Sequence, residues 1–261
     1  MEQIKITPAP LSGEVTVPPS KSAAHRNIIC AALANGKSVL KPACHSEDID
    51  ATIKAVKTLG ASVLEKNGAF YVTGIDRNAV LGKKITLDCR ESGSLLRFII
   101  PIAAALGVNA TFIGHGRLPE RPITDLTDIL SANGVECSGD KLPLTIKGKL
   151  KANEYPVSGN ISSQYLTGLL FAIGLNGGSA KLTTPLESAG YIDLTIKIMS
   201  AFGVDITETT VFIPLVGIIN PQIPLLRATG PRPAFFFRRR RLAAILPSMV
   251  LIYPLLRVIN L

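Results

Sequence analysis

Three short stretches of this chain combine hydroxyl side chains, glycine and cations in a pattern suited to holding anions. In the first, Ser20, Lys21 and Ser22 are followed one helical turn later by Arg26; the second is Ser92, Gly93 and Ser94; the third is Ser162, Ser163 and Gln164. Hydroxyls and backbone N–H groups bind phosphate or carboxylate oxygens, glycine permits close backbone approach, and Lys21 and Arg26 supply positive charge. Each stretch opens an apolar run of helical length, so its free N–H groups lie at a helix N-terminus, whose partial positive charge also favours an anion. A plainer reading stands beside this one. Serine is a favoured helix cap anywhere, Lys21 alone is an ordinary solvated charge, and Arg121 in LPERPI alone is an ordinary ion-pair partner near a helix start.

The helices that must position these residues belong to an internal repeat. The openings SKSAAHRNIICAALANG, ESGSLLRFIIPIAAALG and ISSQYLTGLLFAIGLNG end in Gly36, Gly107 and Gly177, which recur about 70 residues apart as helix stop signals. A second helix follows in each copy: EDIDATIKAVKTLG, RPITDLTDILSANG and GYIDLTIKIMSAFG. These are amphipathic, with Ile49, Ile53 and Val56, or Ile192, Ile196 and Met199, at helical spacing. Each copy closes on a hairpin, clearest in ASVLEKNGAFYVTG, where Asn67-Gly68 signals a type I′ turn, and repeated in VECSGDKLPLTIKG and VDITETTVFIP. The sequence thus predicts an α/β domain of three βαβαββ repeats with pseudo-threefold symmetry, its first helices interior and its amphipathic helices outside. Three equivalent helix starts brought to one face would gather the anion-holding residues.

Composition narrows the partners. The net charge of +9 divides unevenly, with +2 in residues 1–210 and +7 in residues 211–261, which contain seven Arg, no Lys and no acid. Nucleic-acid or membrane binding therefore has support only in the tail, where Arg238 to Arg241 form a basic run; a solvated or artefactual charge run is the favoured reading, and neither partner is expected. Cys30, Cys44, Cys89 and Cys137 lie far apart with no metal-ligand spacing, and MEQIKITPAP lacks a secretory pattern; a reduced, cytoplasmic protein without metal or other cofactor is expected. The apolar run Leu242 to Leu256 is broken by Pro247 and Pro254 and falls short of the roughly 20 residues a spanning helix needs.

In order and spacing, PPSKSAAHR, RESGSLLRF, LPERPI and SGNISSQYLTGLL resemble the 5-enolpyruvylshikimate-3-phosphate synthase family from about residue 5 to 213. The resemblance implies transfer of the enolpyruvyl group of phosphoenolpyruvate to the 5-hydroxyl of shikimate 3-phosphate, and two domains of this repeat. It implies that Lys21 contacts both substrates, that Ser22, Arg26, Ser162, Ser163, Gln164, Ser188 and Tyr191 hold shikimate 3-phosphate, and that Gly93, Arg121 and Gln164 hold phosphoenolpyruvate. Glu91-Ser92-Gly93-Ser94 stands where many members have Asn-Ala-Gly-Thr, so the amide at position 91 is missing. The sister family, which acts on UDP-N-acetylglucosamine, usually has Lys-Asn at Lys21-Ser22 and a reactive cysteine in the loop that here reads GHGRLPERP; the resemblance to it is distant.

The expected organisation is a segment 1–20 that belongs to a missing second domain, a substrate-binding domain 21–213 and an aberrant, poorly ordered tail 214–261. From Pro214 onward lie seven of the 18 prolines and no sustained helical or strand period. The switch reads as translation in another frame beginning near codons 211–217, which resequencing of the gene would test. A monomer is expected. Turnover is expected to be impaired or absent, with a non-catalytic module for phosphorylated shikimate, or an Arg-tailed nucleic-acid or membrane protein, as alternatives.

Overall fold

The computed structural model describes residues 19–206 and the strand Phe212–Val216. The expectations for residues 1–18, for Arg238 to Arg241 and for the apolar run Leu242 to Leu256 lie outside the described residues.

The first repeat contains α1 (Lys21–Leu33), β1 (Lys37–Leu40), α2 (Glu47–Thr58), β2 (Ser62–Lys66) and β3 (Ala69–Thr73). A four-residue helix, α3 (Arg77–Val80), leads to the second: β4 (Lys84–Asp88), α4 (Gly93–Leu106), β5 (Asn109–Ile113), α5 (Thr124–Ala132), β6 (Val135–Cys137) and β7 (Leu144–Gly148). The third comprises β8 (Glu154–Val157), α6 (Ser163–Asn176), β9 (Ser179–Leu182), α7 (Ala189–Ala201), β10 (Asp205–Ile206) and β11 (Phe212–Val216). The second sheet has the order β4-β5-β7-β6 and the third β8-β9-β11-β10, each with one parallel pair, β4 with β5 and β8 with β9, and antiparallel pairing elsewhere. The first sheet, β1-β3-β2, repeats this arrangement from its second strand onward.

Local chemistry explains these elements. Ser20, Ser46, Ser92 and Ser162 each accept a backbone N–H from the first turn of the helix they precede, satisfying a donor the helix cannot. Asn67 (φ 52) and Gly68 (φ 65) both occupy the left-handed region, as a type I′ turn demands. α1 ends at Leu33, before Gly36, because Ala34 already turns to an extended conformation.

The apolar helices form the interior. Nearly all of α4 from Leu95 to Leu106 is buried, Arg97 being the exception, as are the middle of α6 and α1 from His25 onward. α2, α5 and α7 bury one face each. Pro101 inside α4 has no N–H to give to the Arg97 carbonyl. Gly168 of α6 packs against that carbonyl so closely that a Cβ there would lie 2.2 Å from its oxygen.

Candidate functional site

Arg26 is the most deeply placed of the expected site residues, 3% exposed between α1, α6 and α7. Its Nε donates to Thr195 Oγ1 at 2.7 Å and its Nη1 to the Ser22 carbonyl at 3.0 Å. Nη2 donates to Thr167 Oγ1 and the Tyr191 carbonyl, both at 3.4 Å. The guanidinium also stands over the rings of Phe98, at 5.2 Å, and Tyr191, at 5.9 Å. Every one of these partners is neutral. Burial lowers the Arg26 pKa to about 10, so the group stays charged at neutral pH. A buried cation among neutral groups carries a large desolvation cost that an anion would relieve.

At the start of α1, Lys21 Nζ lies 2.5 Å from Asp48 Oδ2, in the first turn of α2. Burial alone would push the Asp48 carboxyl up, but hydrogen bonds from Lys21 and Ser92 and the Lys21 charge hold it below the usual carboxylate range. Lys21 is therefore not the freely solvated cation that sequence allows. Its charge is shared with a carboxylate, and a ligand that uses it must either join or displace that pair.

The start of α4 faces two guanidinium groups. A Cβ built on Gly93 would lie 2.8 Å from Arg97 Nη1 and 3.2 Å from Arg121 Nη1. Arg97 Nη1 donates to the Gly93 carbonyl at 3.0 Å, and its guanidinium covers the Tyr165 ring at 5.4 Å. Arg121 arrives from the loop after β5, behind a 3-10 turn Leu118–Glu120. Gln164 Nε2, from the start of α6, donates to Ser94 Oγ at 2.9 Å. These helix starts are tied together: α4 to α6 through Ser94 and Gln164, and α1 to α6 and α7 through Arg26, while Lys21 at the start of α1 pairs with Asp48 of α2.

Ser162 caps α6 and Ser163 is its first residue, with both hydroxyls half-buried. Ser188 precedes α7 without capping it, which leaves its exposed hydroxyl available. Tyr191 is 52% exposed although its carbonyl faces Arg26. Glu91, the departure from the expected motif, packs its carboxylate against the Cα of Gly116 in the loop before Arg121, where a Cβ would come within 2.6 Å of it. Sequence reasoning missed Asp48, Arg97, Thr167, Thr195 and Phe98. One signal was present: Arg97 and Thr167 precede Gly107 and Gly177 by the same interval as Arg26 precedes Gly36.

Residues 6–214 match the family model of EPSP synthase (3-phosphoshikimate 1-carboxyvinyltransferase). The chain belongs to the EPSP synthase family. It is 45% identical over 208 residues to a 3-phosphoshikimate 1-carboxyvinyltransferase of Clostridium kluyveri, covering 78% of this chain and 48% of that protein. A relative of the same name from Clostridium beijerinckii is 47% identical over 217 residues, covering 79% and 49%. A solved EPSP synthase from Acinetobacter baumannii superposes with a TM-score of 0.67 at 25% identity, covering 80% of this chain and 48% of the other. The chain spans about half the length of these EPSP synthases, and the family match stops at the residue where the composition changes. Among the described residues, no helix is long and apolar enough to cross a membrane, and no cluster of three or more His, Cys, Asp or Glu side chains could hold a metal ion.

Proposed function

We propose that this chain is the ligand-gathering half of an EPSP synthase: it binds shikimate 3-phosphate, and beside it phosphoenolpyruvate, at the joined starts of α1, α4 and α6. The observation that carries this reading is Arg26, a guanidinium buried among neutral groups inside a family whose named members act on a phosphorylated acid. Ser22, Arg26, Ser162, Ser163, Ser188 and Tyr191 hold the phosphorylated acceptor. Gly93 and Arg121 hold the donor, with Lys21 and Gln164 between the two.

In the family reaction the acceptor hydroxyl gives up its proton as its oxygen attacks the enolpyruvyl C2, while the methylene carbon takes a proton, so that the addition is proton-neutral overall. The tetrahedral intermediate then loses a proton from that carbon, and phosphate leaves. Charge held around both ligands lowers the cost of bringing two anions together. The carboxylate nearest Lys21, Asp48, is already committed to that cation. The chain spans about half the length of its relatives. Turnover needs closure over both anions, and the groups gathered at these helix starts account for binding them.

Calorimetric titration with shikimate 3-phosphate tests it. Saturable binding that Arg26→Met abolishes is expected. No heat at millimolar ligand would end the reading.

A further inference from the structure

Asp88, the last residue of β4, receives contacts from three separate parts of the chain. Its Oδ1 accepts the Arg90 N–H at 2.8 Å and faces His115 Nε2 at 3.1 Å, while its Oδ2 lies 3.9 Å from Lys54 Nζ on α2. The first contact closes a turn in which Arg90 takes φ 48, a left-handed conformation uncommon outside glycine, asparagine and aspartate. An aspartate that bonds the backbone two residues on is a means of holding such a turn.

That turn aims two things at once. Ser92 N–H reaches the Cys89 carbonyl at 2.9 Å, which sets the start of α4 at Gly93, and the Arg90 carbonyl accepts the His115 N–H at 2.7 Å. His115 opens the loop that ends in Arg121. Leu118 N–H bonds the His115 carbonyl and Arg121 N–H bonds the Leu118 carbonyl, each at 3.1 Å, with the Leu118 side chain buried. One carboxylate therefore braces both sides of the place where Gly93 and Arg121 meet. Burial would push the Asp88 carboxyl up, but the Arg90 N–H, His115 and Lys54 more than offset this and keep it ionised. Glu91 lies against Gly116 on the same loop.

We propose that Asp88 is a positioning residue for the donor: through the Arg90 turn and the His115 contact it keeps Gly93 and Arg121 in register, and so sets phosphoenolpyruvate affinity without touching the ligand. This rests on the functional reading above. Asp88 and His115 are 22% and 59% exposed, so their contact adds little to global stability, and its effect falls on the loop. None of Asp88's own contacts touches Arg26 or a residue of α6, so the acceptor side should feel its loss far less than the donor side.

The test is an NMR titration of the full chain, following the backbone amides of Gly93 and Ser163, with shikimate 3-phosphate and then with phosphoenolpyruvate at saturating acceptor. Asp88→Ala should weaken the donor by about tenfold, the equivalent of one lost charged hydrogen bond, while acceptor affinity stays within about twofold of the wild type. Asp88→Asn, which keeps an acceptor for the Arg90 N–H, should recover most of the loss, and His115→Gln should show a smaller defect in the same direction. Donor affinity unchanged in Asp88→Ala, or both ligands weakened together in all three variants, would overturn the proposal. A wild-type chain that binds neither ligand overturns the functional reading, and one that binds only the acceptor overturns the donor site, this inference included.

Discussion

At the scale of single residues, the groups proposed to hold anions could be singled out because they are local in sequence: a serine cap, a cation one turn on, a glycine at a helix start. Their partners were not. Arg26 meets Thr167 and Thr195 across 141 and 169 residues, and Lys21 meets Asp48 across 27, separations that no local pattern encodes. The Lys21 pair separates ligand binding from stability. Lys21 and Asp48 are 56% and 29% exposed, and such pairs contribute about 0–1 kcal/mol. Lys21→Met should then shift the thermal midpoint by only a few degrees (about 2–4 °C per kcal/mol for a domain of this size), yet raise the shikimate 3-phosphate dissociation constant by about tenfold or more. A sharp fall in the midpoint with unaltered affinity would make Lys21 structural. Gly93→Ala makes a different point. Its Cβ would crowd the ends of two arginine side chains, which can swing away, and touch Leu118 Cδ1 at an ordinary 3.7 Å, so folding should survive while phosphoenolpyruvate affinity falls and acceptor affinity holds. Parallel titrations of both ligands check this selectivity.

At the scale of elements, helical period and turn chemistry disclosed the helices and hairpins, but not how closely the helices approach. Gly168 reads as an ordinary weak spot in a helix, whereas in the structure α4 and α6 meet there, with the Arg97 carbonyl and the Phe98 Cα where a Cβ would go. Because the obstacle is backbone, Gly168→Ala should cost about 1–3 kcal/mol or more, measured as a drop in the urea midpoint; a neutral outcome would mean the helices separate freely. His25 supplies a pH dependence. It is buried, with Nδ1 donating to Thr52 Oγ1 at 3.1 Å while that hydroxyl donates to the Asp48 carbonyl at 2.8 Å, and its Nε2 has no partner. Burial lowers its pKa from 6.5 to about 4, so between those values the unfolded chain binds the extra proton. Stability present at pH 7 should fall as pH drops from 6.5 towards 4, by up to about 3 kcal/mol at 1.36 kcal/mol per unit, with no further loss from this group below 4. Urea melts across that range should show the slope in the wild type and its reduction in His25→Gln. His45, raised above 6.5 by Asp50 and, against the opposing effect of burial, by Glu65, acts only in a higher window, where its contribution is lost as pH rises.

At the scale of the whole molecule, the threefold repeat was visible in the spacing of its glycines, and the sheets repeat one strand order. The boundary of the domain was harder to read, because composition changes at a point where backbone pairing does not. The expected division after Ile213 cuts through β11, which lies between β9 and β10. On one side Phe212, Ile213 and Pro214 pair with Lys181, Ala180 and Ser179; on the other Leu215 and Val216 pair with Ile206 and Asp205. A chain ended after Val216 keeps both ladders. One ended after Ile213 keeps part of the first and loses all of the second, leaving β10 unpaired at the sheet edge. Each lost backbone hydrogen bond is worth about 0.5–1.5 kcal/mol, so the shorter chain should unfold several degrees below the longer one, at about 2–4 °C per kcal/mol. Its Ile206 amide should also exchange faster with deuterated solvent. Equal midpoints and equal exchange at Ile206 would show that the last residues of β11 contribute nothing to the domain and that the boundary read from composition is the physical one.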